Sequence, residues 1–190
     1  MNRETQIKIF DKSILIADEA TCAAAIDKMA AEMRTRLRNS YPLFIAVMNG
    51  AFVFAANLIV RLQFPMEFDT VIARRYQDKI VGQPLDWVKK PPQSVKGRTV
   101  VLLDDILDEG VTLKAAKEEI LAAGATACLS AVFVEKDRKV PNRMEPDFIG
   151  VKAPNLFLFG YGMDVRGAWR NLPCVRAIPK EREAETLETL

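Results

Sequence analysis

The sequence has no histidine among its 190 residues, and this absence excludes several kinds of catalytic site. Serine and cysteine nucleophiles that are activated by an imidazole need that side chain, and so do metal sites with histidine ligands. The chemistry must therefore come from carboxylates, lysine, arginine or tyrosine.

Cysteine is scarce as well. Cys22, Cys128 and Cys174 lie far apart, so the sequence has neither a CxxC redox pair nor closely spaced thiolate ligands for zinc. Such sparse use indicates a reducing compartment, and the first residues lack the apolar core of a secretory signal. We predict a cytoplasmic protein whose cysteines are unpaired and fill space in the core.

Long apolar runs and an excess of one charge are also missing. Asn49, Gly50 and Asn57 interrupt the longest apolar stretch, residues 44–60, which is shorter than the ~20 residues that span a bilayer. The 27 Lys and Arg residues nearly balance the 25 Asp and Glu residues, and the net charge of +2 gives no basic field that favours nucleic acid. We predict neither a membrane nor a nucleic-acid partner.

Apolar strand-like runs and helical patterns alternate along the chain. Apolar residues recur at steps of three and four between Asp18 and Arg38, which predicts an amphipathic helix with Asp18 as its cap. The apolar run 43–50 precedes a segment of helix length, and residues 98–136 have the pattern of a strand–helix–strand unit. The sequence thus predicts an α/β fold, a mostly parallel sheet flanked by helices.

The remaining segments complete this prediction. A polar stretch with a glycine and a proline, residues 73–87, predicts a mobile loop, and two short strands are expected at 148–151 and 156–164. The charged residues 180–190 are expected to be frayed surface. Because no repeat and no break in composition divides the chain, residues 1–190 are predicted to form one domain, with a small lobe from about 1–20 and 150–190.

Carboxylates cluster where one predicted strand ends. Asp104 and Asp105 follow the apolar run 100–103, and ligands bind at the carboxyl end of strands in a parallel sheet. Asp108 begins a tight turn that reaches Thr112 and enters a helix, so that backbone N–H groups converge beside a hydroxyl. Such a turn suits a phosphate monoester, although an acidic turn can also simply cap a helix.

Three other phosphate or carboxylate sites fit this stretch less well. The sequence has no GxxxxGK[ST] and no GxGxxG after a strand, which excludes a P-loop and a dinucleotide fingerprint. A phosphoacceptor receiver domain needs a third aspartate at the end of a later strand, whereas Asp147 precedes its strand.

Three separated motifs together resemble those of the type I phosphoribosyltransferases, which use 5-phosphoribosyl 1-pyrophosphate (PRPP). VVLLDDILDEGVTL resembles their ribose-phosphate signature, and VMNGAFVF (47–54) resembles their pyrophosphate loop. Residues 147–173 resemble the purine site of the hypoxanthine-guanine phosphoribosyltransferases. The resemblance covers about 43–173 in the family's order. It implies a purine salvage enzyme that uses PRPP, a 6-oxopurine and Mg²⁺ and works as a homo-oligomer, a dimer or a tetramer.

The resemblance also implies a role for each matching residue. Asp104 and Asp105 would bind the ribose hydroxyls, and Asp108 would be the catalytic base that takes the N7 proton of the purine. The 5′-phosphate would be bound by the turn residues Asp108, Glu109, Gly110, Val111 and Thr112. Pyrophosphate would be bound by Met48, Asn49, Gly50 and Arg170.

The purine would be recognised by residues nearer the C-terminus. Lys136, with Lys139 as the fallback, would donate to the 6-oxo group, Phe157 would stack on the ring, and Leu158 would offer backbone groups. Asp164, in the same base-binding segment, would be the Mg²⁺ ligand. Arg75 and Tyr76 would belong to a lid that closes over the reacting groups and excludes water.

Two residues depart from the family's pattern. Glu109 stands where the family commonly has threonine, so its side chain is expected to face outward while its N–H binds phosphate. Asn49 stands where many relatives carry lysine or arginine, which would leave pyrophosphate to backbone amides near 48–51, magnesium and Arg170. The family further implies a strained peptide between Met48 and Asn49.

Two alternatives remain open at this stage. An RNA-binding regulator on the same fold, of the pyrimidine attenuation type, would need a basic face that the scattered cations do not predict. The second alternative is a phosphoribosyltransferase for xanthine or a pyrimidine, against which the segments GYGMD and RNLP argue. The sequence does not rank hypoxanthine, guanine and xanthine.

Overall fold

The computed structural model describes residues 2–74, 86–141 and 143–183. In chain order its elements are α1 (Arg3–Asp11), β1 (Ile14–Ala17), α2 (Glu19–Leu37), β2 (Leu43–Met48), α3 (Phe52–Leu62), β3 (Glu67–Arg74), β4 (Asp86–Lys89), β5 (Thr99–Leu107), α4 (Val111–Ala122), β6 (Ala127–Asp137), β7 (Phe148–Pro154), β8 (Phe157–Phe159) and β9 (Val175–Ile178). A short 3₁₀ helix, Gln93–Val95, precedes β5.

Six strands form the main sheet in the order β4-β3-β2-β5-β6-β7. Only the β3–β4 pair is antiparallel, so the predicted mostly parallel sheet flanked by helices is confirmed. The residues of β2 from Leu43 to Val47 are buried, as expected for a continuous apolar strand covered on both faces. The carboxyl ends of β2, β5 and β6 therefore lie at one edge of the sheet.

Helix α2 packs on this sheet through the apolar face that the sequence predicts. Ile26, Met29 and Met33 of α2 are buried against residues of α3 and the sheet. The Asp18 carboxylate accepts a hydrogen bond of 2.8 Å from the backbone N–H of Thr21, which confirms the predicted cap. Hydrogen bonds with the side chain and the backbone of Thr21 lower the pKa of Asp18. None of the helices in the described ranges is long and apolar enough to cross a membrane.

The three cysteines are unpaired, as predicted. Cys22 and Cys128 are buried, and desolvation raises the pKa of each thiol to about 11. Thiols with such pKa values are unreactive at neutral pH, which fits a space-filling role.

Residues from the two ends of the chain form a second sheet, with the antiparallel strand order β1-β9-β8. A separate small core supports it, formed by Ile9, Phe159, Val165 and Ile178. The rings of Phe10 and Trp169 stack beside this core with centroids 5.0 Å apart. Helix α1 thus packs against the C-terminal part of the chain.

Several short elements differ from the sequence prediction. Helix α1 and strand β9 were not predicted, and β3 and β4 extend into the predicted loop 73–87. The strand expected over 156–164 ends at Phe159, because Gly160 has a φ of +91° that turns the chain. The helical residues 180–183 belong to the segment expected to be frayed, and 184–190 lie outside the described residues.

A stack of aromatic rings joins the main sheet to the loop between β8 and β9 (160–174), hereafter the C-terminal loop. The ring of Phe133, fully buried in β6, lies 4.1 Å from that of Tyr161 and 5.7 Å from that of Phe54. The C-terminal loop is therefore fixed to the sheet through its side chains.

We expect Phe133→Ala to lower the free energy of unfolding by about 3–5 kcal/mol, since it removes buried contacts and leaves a cavity. Urea unfolding measures this change. Val60→Ala, at a position 68% exposed, is the control and should change the free energy by less than about 0.5 kcal/mol. A loss below about 1 kcal/mol for Phe133→Ala would show that the stack is not a main support of the fold.

Candidate active site

The loop after β2 is packed tightly between two other parts of the chain. A Cβ atom on Gly50 would lie 2.0 Å from Oδ2 of Asp105, and a Cβ atom on Gly162 would lie 2.0 Å from the carbonyl oxygen of Gly50. Only glycine fits at these two positions. The peptide bond between Met48 and Asn49, which the resemblance singles out, is cis. The structure thus brings the predicted pyrophosphate loop against the end of β5 and the C-terminal loop.

Asp104 and Asp105 lie near the end of β5, both half-buried. The backbone N–H of Asp105 donates a 3.1 Å hydrogen bond to Oδ1 of Asp104. Desolvation raises the pKa of Asp105, against the opposing effects of a hydrogen bond with Asp104 and the positive charge of Arg170. The two carboxylates predicted to bind ribose hydroxyls therefore lie beside the Gly50 loop.

The predicted phosphate turn joins β5 to α4. Val111 begins α4, two residues before the start that the sequence predicts, and Gly110 immediately precedes it. The first N–H groups of a helix have no acceptor within the helix and point out of its N-terminus. The residues from Gly110 to Thr112 are thus placed where their amides can bind an anion.

Asp108 is held between two cations from the end of β6. Its Oδ2 atom lies 3.1 Å from Nζ of Lys136, and its Oδ1 atom lies 2.8 Å from Nη1 of Arg138. Desolvation acts to raise the pKa of Asp108, but the hydrogen bonds and charges of Arg138 and Lys136 outweigh it and hold the pKa below the ordinary value of 3.8. Asp108 is therefore ionised at neutral pH. Lys136 is only 8% exposed, unlike a typical lysine at a strand end.

The Glu109 carboxylate is paired rather than free. Its Oε1 atom lies 2.8 Å from Nη2 of Arg138, and its side chain is 44% exposed. The expectation that it simply faces outward is therefore incomplete, because Arg138 binds it. We call Asp108, Glu109, Lys136 and Arg138 the ion cluster. Sequence reasoning missed Arg138, which has no motif of its own and is separated from Glu109 by 29 residues.

A second arginine that sequence reasoning missed, Arg143, binds the backbone beside the ion cluster. The Arg143 guanidinium donates to the carbonyl oxygens of Leu107, Lys136 and Arg138, the last two at 3.0 and 3.3 Å. Its side chain is only 12% exposed. Arg143 thereby ties the end of β5 to the end of β6, which fixes the backbone on both sides of the cluster.

The C-terminal loop brings Asp164 and Arg170 together. Nη2 of Arg170 lies 2.6 Å from Oδ1 of Asp164, and Nη1 donates to the carbonyl oxygen of Gly162 at 2.7 Å. The N–H of Gly167 donates to Oδ2 of Asp164 at 2.5 Å. Because Gly162 packs on Gly50, this ion pair lies next to the predicted pyrophosphate loop.

Other predicted residues are placed less directly. Phe157, half-buried, and Leu158, buried, lie in β8 of the second sheet, where the N–H of Phe157 donates to Glu183 at 2.8 Å. Lys139 lines a cleft with Arg138 and Val140.

The proposed lid residues Arg75 and Tyr76 lie outside the described residues. Within the described ranges, no three His, Cys, Asp or Glu side chains form a group that could hold a metal by themselves.

Comparison with known proteins shows the family to which this chain belongs. The family model of the phosphoribosyl transferase domain matches residues 15–166. The chain therefore belongs to the phosphoribosyltransferase family.

Individual relatives narrow the comparison further. The hypoxanthine-guanine phosphoribosyltransferase of Aquifex aeolicus is 30% identical over 163 residues, which are 84% of this chain and 90% of that protein. The Bacillus subtilis enzyme of the same name is 28% identical over 165 residues, 86% and 91% of the two chains. The predicted resemblance to the hypoxanthine-guanine phosphoribosyltransferases is confirmed.

A solved structure shows the shared fold. The hypoxanthine phosphoribosyltransferase of Staphylococcus aureus superposes with a TM-score of 0.85 at 21% sequence identity, over 93% of this chain and 97% of that one. The predicted fold class is thus confirmed by a comparison of coordinates as well.

Loss of the Arg143 clamp should destabilise the protein. Arg143→Met removes a donor from the carbonyl groups of Leu107, Lys136 and Arg138, although the Lys136 carbonyl keeps its 2.8 Å hydrogen bond from the N–H of Arg138. Each buried group left unsatisfied costs about 1–3 kcal/mol, less where water can enter. We expect the free energy of unfolding to fall by about 2–4 kcal/mol in urea unfolding. Arg38→Met, at an exposed position, is the matched control and should have little effect. Equal stabilities for the two variants would refute the clamp.

Proposed function

We propose that this chain transfers the 5-phosphoribosyl group of PRPP to N9 of a 6-oxopurine, hypoxanthine or guanine. The products are the nucleoside monophosphate and pyrophosphate. Membership of the phosphoribosyltransferase family and the named relatives support this reaction. They do not favour an RNA-binding regulator on the same fold, since the relatives named above are transferases.

The contact between Lys136 and Asp108 is the observation that most supports a 6-oxopurine as the base. A 6-oxopurine presents O6 and N7 side by side on one edge, and in the tautomer protonated at N7 this edge is an acceptor beside a donor. Lys136 offers a donor and Asp108 an acceptor 3.1 Å apart, which is the complementary pair. An ammonium has three N–H groups, so Lys136 can keep its contact with Asp108 and still donate to O6.

Asp108 is suited to act as the catalytic base. The tautomer protonated at N7 has its lone pair on N9, where the new bond to C1′ of the ribose forms. As N9 attacks and pyrophosphate leaves, the Asp108 carboxylate accepts the N7 proton. Its lowered pKa keeps it ionised and ready for this transfer at neutral pH.

The remaining residues position and stabilise the sugar. Asp104 and Asp105 accept hydrogen bonds from the 2′ and 3′ hydroxyls, and such charge-assisted bonds are strong. C1′ gains positive charge as the bond to pyrophosphate breaks, and nearby carboxylates stabilise that charge. The amides of Gly110, Val111 and Thr112 bind the 5′-phosphate at the N-terminus of α4.

Pyrophosphate is bound on the other side of the ribose, by the loop residues Met48, Asn49 and Gly50 together with Arg170. Asp164 is the carboxylate that would hold Mg²⁺ there. The donors fit this ion, because Mg²⁺ is usually bound by one or two carboxylates together with phosphate oxygens and water. Held there by Asp164, Mg²⁺ would supply positive charge to the leaving pyrophosphate.

Three further features stay predictions. These are assembly into a dimer or tetramer, a cytoplasmic location, and closure of a lid that contains Arg75 and Tyr76. Phe157 as the stacking ring and Leu158 as a source of backbone contacts are likewise proposals, supported by their match to the family's purine segment.

Steady-state assays with PRPP, Mg²⁺ and five bases (hypoxanthine, guanine, xanthine, adenine and uracil) test the proposed function. We expect kcat/KM for hypoxanthine or guanine to exceed that for adenine by at least about a thousandfold, because the 6-amino group of adenine meets a second donor. Lys136→Gln should shrink this ratio, since an amide can present either oxygen or nitrogen. Use of adenine within tenfold of hypoxanthine would refute the 6-oxopurine assignment, and an unchanged ratio in Lys136→Gln would move the contact to Lys139 or the backbone.

Replacement of the base tests the role of Asp108. Asp108→Asn should leave the fold and PRPP binding intact but lower kcat by about a hundredfold or more, the usual contribution of a general base. Asp137→Asn is the matched control, because Asp137 is an exposed carboxylate at the same strand end. If Asp108→Asn turned over like the wild type, Asp108 would be a structural residue of the turn only.

A further inference from the structure

Glu109 places a negative charge in the turn that is proposed to bind the 5′-phosphate. A phosphate monoester carries nearly two negative charges at neutral pH, so an uncompensated carboxylate beside it would weaken binding. The question is how this chain binds a dianion next to Glu109. The following inference rests on the proposed function, because it concerns the same phosphate turn.

Arg138 contacts both acidic side chains of the turn. Its Nη1 atom lies 2.8 Å from Oδ1 of Asp108, and its Nη2 atom lies 2.8 Å from Oε1 of Glu109. One planar guanidinium can bind two carboxylates in this way, because its N–H groups point in fixed directions. Lysine has no such fork.

The ion cluster has no net formal charge, because Asp108 and Glu109 face Lys136 and Arg138. Without Arg138, one negative charge would remain uncompensated in the turn. Lys136 cannot replace Arg138, since its contact is with Asp108, on the other carboxylate oxygen.

Arg138 also fixes where the Glu109 carboxylate lies. Arg138 directly follows β6, and its backbone carbonyl accepts a 3.3 Å hydrogen bond from the Arg143 guanidinium. Glu109 is thus drawn toward the end of β6, while its backbone continues into Gly110 and the N-terminus of α4.

We propose that Arg138 is a positioning residue for the 5′-phosphate, which neutralises Glu109 and holds its carboxylate away from the amides of the phosphate turn. Arg138 acts through Glu109 and not by contact with the phosphate. Its effect on phosphate binding therefore exists only while residue 109 is acidic.

The test is a double-variant series in which the affinity for ribose 5-phosphate is measured by isothermal titration calorimetry. Arg138→Gln should weaken binding about tenfold, a change of about 1.4 kcal/mol. Glu109→Gln should bind as tightly as the wild type or up to about threefold more tightly. The double variant Glu109→Gln/Arg138→Gln should return to within about threefold of the wild type, because the charge that Arg138 compensates is gone.

Two controls separate this effect from general damage. Lys152→Gln removes a cation of the neighbouring strand that is 79% exposed, and it should leave the affinity within about twofold. Melting temperatures of all variants show whether each is folded. Arg138→Lys should recover only part of the affinity lost in Arg138→Gln, since an ammonium lacks the fork.

The outcomes are distinct. A double variant as weak as Arg138→Gln would overturn the proposal, because Arg138 would then act on the phosphate directly or on the fold. An unchanged affinity in Arg138→Gln would overturn it as well. If the wild type bound no ribose 5-phosphate and turned over no PRPP, the proposed function itself would fail, and the role of Arg138 would fail with it.

Discussion

The ionic contact between the ends of β5 and β6 is the interaction on which the candidate site depends. Parallel strands bring their carboxyl ends to one edge, but they do not by themselves fix the loops that follow. Here Asp108 follows β5 and meets Lys136 at the end of β6 and Arg138 directly after it, while Arg143 binds the backbone of both strands. Exposed ion pairs contribute little to stability, but these groups are partly buried and form a network, which is the case in which they are most effective. The same contact lowers the pKa of Asp108 and places a donor beside an acceptor, the pair that the proposed 6-oxopurine substrate would require.

Close packing supplies the second constraint. Gly50 lies between Asp105 and Gly162, at distances that leave no room for a side chain. This packing brings the loop after β2, the end of β5 and the C-terminal loop together, and with them the Asp164–Arg170 pair. The candidate site is therefore assembled from segments near residues 50, 105, 136 and 164. Ionic contacts hold the part proposed to bind the base, and close packing holds the part proposed to bind pyrophosphate.

Much of the fold and of the candidate site could be predicted from the sequence, because the patterns that produce them are local. Strand β5, the aspartates near its end and the helix that follows the phosphate turn each have a pattern within about ten residues. Together with the motifs at 47–54 and 147–173, they predicted the family. Arg138 and Arg143 could not be found in this way. Arg138 is 30 and 29 residues from Asp108 and Glu109, and Arg143 is 36 residues from Leu107, so these groups become neighbours only when β6 pairs with β5. The short elements failed for a related reason. Strand β9 forms by pairing with β1 and β8, and helix α1 forms by packing on the small core beside that sheet. A strand of four residues is also too short for its periodicity to be recognised in the sequence.

The central feature of the candidate site is an ionised Asp108 carboxylate, held by Lys136 at the end of β6 and by Arg138 directly after it. Because its pKa is lowered by folding, its ionised form stabilises the native state above the ordinary pKa, and this contribution is lost as the pH falls through the lowered value. The most direct test follows the ¹³C chemical shift of the Asp108 carboxyl carbon by NMR as the pH is lowered, in the folded protein. We predict a midpoint below 3.8 in the wild type and a higher midpoint in Arg138→Gln. A wild-type midpoint at or above 3.8, or the same midpoint in both proteins, would contradict the account.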